Sequence, residues 1–321
     1  MLPFSAPESV APINSANVVF LGLGLISGSL ALALKRSGWV GQITAWGPRA
    51  PSLERGLALG VIDGYDLDLS GAIAGADVII IGAPPISTGE LLATLPTLLK
   101  TLDETPIVTD LASMKGWVIE QLAESYPRFV PGHPIAGSEN SGVMAARADL
   151  FDGREAILTP DDTTDPEALK WVATMWERVG SRVTLMSPSD HDAALAASSH
   201  SPHMLAYALT MALEDDPLKP MRHGGGALRD MTRIAASDPV MWRDVALTNK
   251  ESLIDAMTAV EAQLSSLKEL IAKGDGEGLE HYFSVCRSVR REHDSVLNPL
   301  DSPATPQSPE SEDADKGRDA P

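Results

Sequence analysis

The sequence predicts an α/β domain with a mainly parallel sheet, followed by an all-helical domain. Up to about residue 187, short β-prone runs alternate with stretches of helical periodicity, as in consecutive β-α-β units. Beyond that point, long helical periodicities take over without a convincing strand. A chain of 321 residues exceeds one ordinary domain and is long enough for two hydrophobic cores.

The predicted strands are short, and several are followed at once by glycines or polar residues. They cover residues 17–21, 42–46, 77–81, 106–109, 129–130, 156–158 and 182–185. The predicted helices cover residues 25–36, 166–179, 190–213, 239–273 and 277–293. Ligands of open parallel sheets bind at the carboxyl ends of the strands, so the residues directly after the strands are the first functional candidates.

An apolar run near the start of the chain, residues 18–35, breaks into glycines and then resumes with helical spacing. Gly22 and Gly24 are the first two glycines of a G-x-G-x-x-G pattern between a predicted strand and a predicted helix. Such a turn lets a pyrophosphate approach the backbone and rest on the helix N-terminus. Ser27 stands at the third glycine position, where a small residue still permits close packing. The turn predicts a Rossmann-type domain that binds a dinucleotide.

A membrane span is the alternative interpretation of this run, because Val18–Leu34 carries no charge and approaches the length that a bilayer requires. Glycines and serines cluster in its centre, and no basic segment precedes it. The sequence that follows is typical of a soluble α/β protein. These features favour the dinucleotide turn.

Composition narrows the classes of partner. The net charge of −19 argues against nucleic acids and anionic membranes, which both require a basic face. The one cysteine, Cys286, excludes a disulfide framework, and with no signal peptide the expected compartment is the cytoplasm. Residues 299–321 are rich in proline, serine and acid and predict a disordered tail. The predicted division is a dinucleotide-binding domain at 1–187, a helical domain at 188–298, and this tail.

The end of the second predicted strand bears on the choice of dinucleotide. NAD enzymes usually place an acid there on the ribose 2′-hydroxyl, but this chain has Gly47 and then Arg49. No carboxylate would repel a 2′-phosphate, and Arg49 with Ser52 would bind one. NADP is therefore the predicted cofactor, with NAD, or the use of both, as the alternative. The predicted cofactor-binding residues are Gly22, Gly24, Leu25, Ile26, Gly47, Arg49, Ser52, Ala83 and Pro84.

Polar residues with catalytic potential follow the fourth and fifth predicted strands. An unperturbed histidine titrates near neutrality, so His133 would serve as a general base, with packing at the strand end as the alternative. Ser113 would hydrogen-bond to a reacting hydroxyl or cap the next helix. Lys115 is expected in solvent, unless it approaches the cofactor or pairs with a carboxylate.

The helical domain has an apolar face and a pair of histidines. Its long helices would bury that face against a second copy, which predicts a homodimer, although an intramolecular bundle fits the pattern equally well. His200 and His203 are three residues apart and would begin a metal site. Since no nearby cysteine or acid completes such a site, no metal is expected.

Five ordered motifs resemble the prephenate and arogenate dehydrogenase family. They are GLGLISGSLA (22–31), TDLASMKG (109–116), GHPIAGSENSGVMAARADLFDG (132–153), SSHSPHMLA (198–206) and GGGALRDMTRIAASDPVMW (224–242). Members of that family make the tyrosine precursor by NAD(P)-dependent oxidative decarboxylation of a cyclohexadienol. The resemblance implies the same reaction here on a small molecule, prephenate, arogenate or both.

The resemblance also implies roles for individual residues. It favours His133 as the base that takes the hydroxyl proton, and Ser113 as the group that orients or relays it. It places His203 beside the substrate. Trp242 is interpreted as a wall of the pocket, with simple core packing as the alternative.

A dianionic substrate requires cations, and two arginines share one predicted helical face. Arg233 matches the family's position for a two-pronged grip on a substrate carboxylate, and Arg229 would assist from four residues earlier. A surface salt bridge of Arg229 to Asp230 or Asp244 is the alternative.

Two other classes of protein also fit the sequence. A β-hydroxyacid dehydrogenase also joins a dinucleotide domain to a helical one, but normally relies on a catalytic lysine in the helical domain. A non-catalytic NAD(P)-sensing protein would bind the cofactor and convert no substrate.

Overall fold

The computed structural model describes residues 16–137 and 140–297, and it confirms the α/β first half and the helical second half. The strands are β1 (Val18–Leu21), β2 (Ile43–Trp46), β3 (Gly64–Asp66), β4 (Val78–Ile81), β5 (Ile107–Asp110), β6 (Phe129–Val130), β7 (Gly132–Pro134), β8 (Glu155–Leu158) and β9 (Arg182–Leu185). The helices are α1 (Leu25–Ser37), α2 (Ala50–Ala58), α3 (Leu69–Ile73), α4 (Pro85–Leu99), α5 (Gly116–Glu120), α6 (Pro166–Arg178), α7 (Pro188–Leu195), α8 (Ser201–Asp215), α9 (Gly226–Thr232), α10 (Pro239–Thr248), α11 (Lys250–Lys273), α12 (Gly276–Glu292) and α13 (Asp294–Leu297).

The main sheet is fully parallel, with the strand order β3-β2-β1-β4-β5-β6. Strand β1 lies at its centre, and its residues alternate between two hydrophobic clusters. Val18 and Phe20 pack in one cluster, and Val19 and Leu21 pack in the other. The strand order reverses between β1 and β4, so the carboxyl ends of these two strands form the switch point where such sheets bind ligands.

A smaller sheet has the order β7-β8-β9, with β7 antiparallel to β8 and β8 parallel to β9. The predicted strands at 156–158 and 182–185 are confirmed and pair with each other here. His133 follows strand β6, as predicted, and it also lies inside the short strand β7, where it pairs with Ile157. Strands β3 and β7 were not predicted, since both are three residues long and contain glycine.

Two of the predicted long helices are interrupted. The first divides into α7, a π-helical turn at Ala196–His200, and α8. Pro202 explains the interruption, because proline has no N–H to donate and its ring clashes with the preceding turn. The second divides at Asn249, between α10 and α11. The predicted helix at 277–293 is confirmed as α12.

The chain forms two compact units that meet in sequence after Ala262. The first holds both sheets and the helices through α10, and the second holds the end of α11 together with α12 and α13. Within the second unit, the Tyr282 hydroxyl donates to Gln263 Oε1 at 2.9 Å. The predicted boundary at residue 187 stays a prediction, and the tail at 299–321 lies outside the described residues. Among the helices of the described part, none is long and apolar enough to cross a membrane.

The glycine turn after β1 is packed tightly against the turn after β4. Gly22 has φ +97°, and a Cβ there would lie 2.9 Å from the Gly82 carbonyl oxygen and 3.0 Å from the Ala83 nitrogen. A Cβ on Gly82 would in turn overlap the buried Ser27 hydroxyl. The serine at the third position of the glycine pattern is therefore accommodated by Gly82, the glycine that directly follows the neighbouring strand β4.

We predict that Gly22→Ala destabilises the protein by about 2–4 kcal/mol, because it adds both left-handed backbone strain and an overlap with main-chain atoms. Urea unfolding without cofactor measures this change. Gly276→Ala is the matched control, since a Cβ at Gly276 meets nothing within 4 Å. Equal stability of the two variants would contradict the packing described for Gly22.

Candidate active site

A chain of hydrogen bonds begins at His133 and runs into the helical half. His133 Nδ1 lies 2.9 Å from His191 Nε2, and His191 Nδ1 lies 2.8 Å from Asp192 Oδ1. Asp192 Oδ1 also accepts from the Lys115 main-chain nitrogen at 2.7 Å, and Oδ2 accepts from that of Gly116 at 2.8 Å. Both imidazoles are buried. Strand β7, helix α7 and the loop before α5 therefore meet at these side chains.

Lys115 is completely buried, so the expectation that it lies in solvent is wrong. Its ammonium group pairs with Asp110 Oδ2 at 2.5 Å and donates to the Gly132 carbonyl at 2.7 Å. Asp110 also accepts from the main-chain nitrogens of Ala112 at 2.9 Å and Gly132 at 3.2 Å. The pairing with a carboxylate was the alternative for Lys115, and it fastens β7 to the carboxyl end of β5.

Ser113 is half-buried in the same loop. Helix α5 begins at Gly116, and Lys115 stands at the cap position without a side-chain hydrogen bond to the helix. The alternative that Ser113 caps this helix is therefore wrong for the chain as described. Its hydroxyl lies in the loop that the Lys115 contacts hold against β7.

Burial sets the charge state of this site. It lowers the pKa of His133 well below its usual value, and the nearby His191, Lys115 and His200 lower it further. Burial also lowers the pKa of His191, against the opposing effect of the Asp192 hydrogen bond. For Asp192, burial raises the pKa, but its hydrogen bonds outweigh burial and the net shift is downward. At neutral pH the site holds neutral imidazoles backed by a carboxylate.

A second pair of histidines lies along the π-helical turn and α8. Asn249 Nδ2 donates to His200 Nδ1 at 3.1 Å and to the main-chain oxygen of Asp192 at 3.0 Å. Burial lowers the pKa of His200 to about 4. His203 stacks on Trp242 with ring centroids 3.6 Å apart and an interplanar angle of 22°. Trp242 is thus both a core residue and one face of the His203 environment.

The two predicted substrate arginines differ in their surroundings. Both are exposed, but Arg229 Nε lies 3.3 Å from Asp230 Oδ1, which is the surface salt bridge considered as its alternative. Arg233 lies close enough for its charge to lower the pKa of His203, although burial is the larger cause of that shift. Over the described ranges, no carboxylate forms an ion pair with Arg233.

Six of the predicted cofactor residues, Gly22, Gly24, Leu25, Ile26, Ala83 and Pro84, directly follow β1 or β4, the two strands at the switch point. Gly24 precedes the 13-residue helix α1, no side chain caps that helix, and its first turn has no acid. A Cβ at Gly24 would meet nothing within 4 Å, so this N-terminus has room for a phosphate group. Leu25 and Ile26 open that helix, and Ala83 and Pro84 connect β4 to α4. These residues fit a bound dinucleotide.

The predicted residues for the adenosine side lie beyond β2. Gly47 is buried against Leu53, and Arg49 and Ser52 are exposed at the start of α2. An exposed guanidinium next to a helix start is free to meet a phosphate group.

His191, Asp192 and Asn249 were not predicted as site residues. Each lies within or between predicted helices, where polar residues are most often solvated. These three residues are identified only by their tertiary contacts. One such contact joins Lys115 to Asp192, 77 positions apart in the sequence.

Comparison with known proteins decides the family. The model for the prephenate dehydrogenase nucleotide-binding domain matches residues 30–185, and that for the prephenate dehydrogenase dimerization domain matches residues 187–285. The chain belongs to the prephenate dehydrogenase family. It is accordingly an oxidoreductase with a nucleotide-binding domain.

Relatives within the prephenate dehydrogenase family align along most of the chain. The cyclohexadienyl dehydrogenase of Zymomonas mobilis is 35% identical over 85% of this chain and 94% of its own length. The prephenate dehydrogenase of Bacillus subtilis is 34% identical over 85% of this chain and 75% of its own length.

Solved structures of the family share the fold. Prephenate dehydrogenase from Aquifex aeolicus, in complex with hydroxyphenyl propionate and NAD+, has a TM-score of 0.81 and 37% identity over 86% of this chain and 98% of that one. Synechocystis arogenate dehydrogenase has a TM-score of 0.74 and 29% identity over 86% of this chain and 99% of that one.

We predict that the free energy of unfolding falls as the pH drops from about 6.5 toward 4. His133, His191, His200 and His203 all have lowered pKa values in the fold, so unfolding takes up protons in this window. Each histidine contributes a slope of about 1.4 kcal/mol per pH unit. Their stabilisation is fully present above the unfolded pKa and is lost on acidification.

Urea unfolding at a series of pH values measures this slope. His200→Gln should reduce the number of protons taken up on unfolding by about one, and the slope with it. His281→Gln, on an exposed position of α12, should leave the slope unchanged. A flat profile between pH 6.5 and 4.5 would show that the buried histidines are not held neutral.

Proposed function

We propose that the protein catalyses NAD(P)-dependent oxidative decarboxylation of prephenate, arogenate or both, in tyrosine biosynthesis. The observation that carries this proposal is the buried, neutral His133, on a strand fastened to the carboxyl end of β5, at the same edge of the main sheet as the glycine turn after β1. Relatives named for prephenate, cyclohexadienyl and arogenate dehydrogenase activity support this reaction. Neither a β-hydroxyacid dehydrogenase nor a non-catalytic sensor is favoured by these likenesses.

His133 would act as the general base. A bound nicotinamide supplies the hydride acceptor for the ring carbinol carbon. His133 takes the proton of the hydroxyl at that carbon as the C–O bond becomes a carbonyl. Loss of CO2 then makes the ring aromatic, and His133 returns its proton to the same oxygen, so the sequence consumes no net proton. Aromatisation provides the driving force, which leaves the protein chiefly to position the groups.

Arg233 would bind a substrate carboxylate. Its guanidinium is exposed and lies near His203, which stacks on Trp242. A guanidinium suits this role because it donates two parallel hydrogen bonds to a carboxylate. Ser113 would meet the substrate hydroxyl from the loop before α5. Arg229 would assist only after leaving its salt bridge to Asp230.

A homodimer is part of this proposal. Helix α12 has no buried residue among its described positions, yet it carries the apolar side chains of Phe283, Val285 and Val289, each about half exposed. Leu264 and Ile271 are similarly exposed on α11. Burial of such exposed apolar side chains against a second copy is what the family's dimerization domain leads us to expect. A cytoplasmic location remains the expectation from the single cysteine.

We predict that the purified protein forms 4-hydroxyphenylpyruvate from prephenate, or tyrosine from arogenate, with reduced cofactor and CO2 in equal amounts. His133→Asn should lower kcat about 10²–10⁴-fold, because the base is lost. Arg233→Met should instead raise KM for the substrate. Comparison of kcat/KM for both substrates ranks them. Full activity of His133→Asn would contradict the proposed role and favour a lysine base.

NADP is the proposed cofactor of choice, because Arg49 and Ser52 are exposed at the start of α2 with no acid at the end of β2. Arg49→Ser should lower kcat/KM for NADP at least about tenfold while changing that for NAD about twofold or less. Arg55→Ser, on the same helix, is the matched control. An equal loss with both cofactors would mean that Arg49 does not read the 2′-phosphate.

A further inference from the structure

Asp192 determines where the protons lie on both histidines of the chain that begins at His133. An ionised carboxylate only accepts hydrogen bonds, so the 2.8 Å contact to Asp192 Oδ1 requires a proton on His191 Nδ1. Asp192 is kept ionised by its two further main-chain donors, Lys115 and Gly116.

The position of the proton on His191 determines the position of the proton on His133. A buried, neutral imidazole carries one proton, and that of His191 is on Nδ1, so its Nε2 is an acceptor. His133 Nδ1 lies 2.9 Å from this nitrogen and must therefore be the donor. The remaining nitrogen of His133, Nε2, is then unprotonated.

We propose that Asp192 and His191 form a relay that fixes His133 in the tautomer whose Nε2 is free to accept a proton. The two residues are thus positioning residues for the reaction in which His133 is the base, and this catalytic part rests on the proposed function. With the opposite tautomer, His133 would present an N–H to the substrate hydroxyl and could not act as a base.

The relay also favours the protonated form of His133 during the reaction. Once protonated, His133 keeps donating from Nδ1 to His191, whose acceptor nitrogen is polarised by Asp192. The charged groups that face these rings are Lys115, Asp110 and Asp192, with His200 as a further neighbour. At His191, Asp110 opposes the charge of its ion-pair partner Lys115, and the carboxylate of Asp192 adds a second negative charge. At His133, the charge of Lys115 still disfavours protonation, so the stabilisation by Asp192 reaches His133 only through the hydrogen bond to His191.

The local structure holds the relay rigidly. Asn249 donates to the main-chain oxygen of Asp192 and is itself buried between α10 and α11. Lys115 contacts both ends of the relay, because its main-chain nitrogen binds Asp192 and its ammonium binds the carbonyl of Gly132, the neighbour of His133.

Nitrogen-15 NMR of histidine-labelled protein tests the tautomer without any need for activity. Protonated and unprotonated ring nitrogens resonate far apart, so each ring reveals its tautomer. His133→Asn assigns the signals of His133, and His293→Gln, on an exposed ring, controls for general shifts. We expect Nδ1 of His133 and Nδ1 of His191 to be protonated at neutral pH. Protonation of His133 at Nε2 would overturn the proposal.

Asp192→Asn tests the consequence for catalysis. An amide at this position can donate to His191 Nδ1, which moves the His191 proton to Nε2 and that of His133 to its own Nε2. We expect kcat to fall about 10²–10⁴-fold, with KM for both substrates changed about threefold or less. The matched control is Asp190→Asn, an exposed acid two residues away, which should retain kcat.

The outcomes separate the two proposals. If neither prephenate nor arogenate is converted, the proposed function fails, while the tautomer is still read from the wild-type spectrum. If Asp192→Asn retains full kcat, or its His133 keeps the wild-type tautomer, the relay is overturned. If the variant does not fold, the wild-type spectrum decides alone.

Discussion

The buried ion pair between Lys115 and Asp110 fixes the geometry on which the rest of the site depends. Moving each charge out of water costs several kcal/mol, and the pair is tolerated only because both partners have further hydrogen bonds. Asp110 accepts from two main-chain nitrogens and Lys115 donates to a carbonyl, which are directional contacts. Without one partner, the other would be an isolated charge in the interior. The loop after β5 and strand β7 are therefore locked together.

The buried ion pair also affects the charge state of the imidazoles around it. A buried cation near His133 and His191 disfavours a second positive charge, and so does the loss of water. The same lysine, through its main chain, stabilises Asp192, whose carboxylate opposes this effect at His191. The site thus holds its bases in the neutral form while keeping a negative group behind them. A base with these neighbours is free at neutral pH and gains its charge only during proton transfer.

Much of the fold follows from short-range patterns. The alternation of strands and helices in the first half, and the glycine turn at Gly22, could be predicted because periodicity and backbone demands are local. The interruptions at Pro202 and Asn249 are different. Pro202 is visible in the sequence as a break in hydrogen bonding, whereas the side chain of Asn249 bonds to Asp192 and His200, and a tertiary contact of this kind leaves no local pattern. Strand β7 is too short and too rich in glycine and proline to show a strand pattern.

Site residues that belong to sequence motifs could be predicted, whereas those that only long-range contacts bring to the site could not. His133 and Ser113 follow predicted strands, so their place at the sheet edge could be inferred. The burial of Lys115 could not, because lysine is usually solvated and its partner Asp110 gives no sign of being buried. His191 and Asp192 directly follow the exposed Ser189 and Asp190 on α7, so nothing local in the sequence marks them as buried.

The π-helical turn at Ala196–His200 separates the histidine of α7 from those that follow it. A hydrogen bond spanning five residues instead of four inserts one residue into the winding, which rotates one part of a helix by about 100° against the other. The side chain of His203, after the turn, is therefore rotated about the helix axis relative to the place it would have in a regular helix continued from His191. If the same residues wound as a regular α-helix, His203 would point about 100° away from its present direction relative to His191. The extra residue of the π-helical turn therefore sets the directions of these two side chains relative to each other.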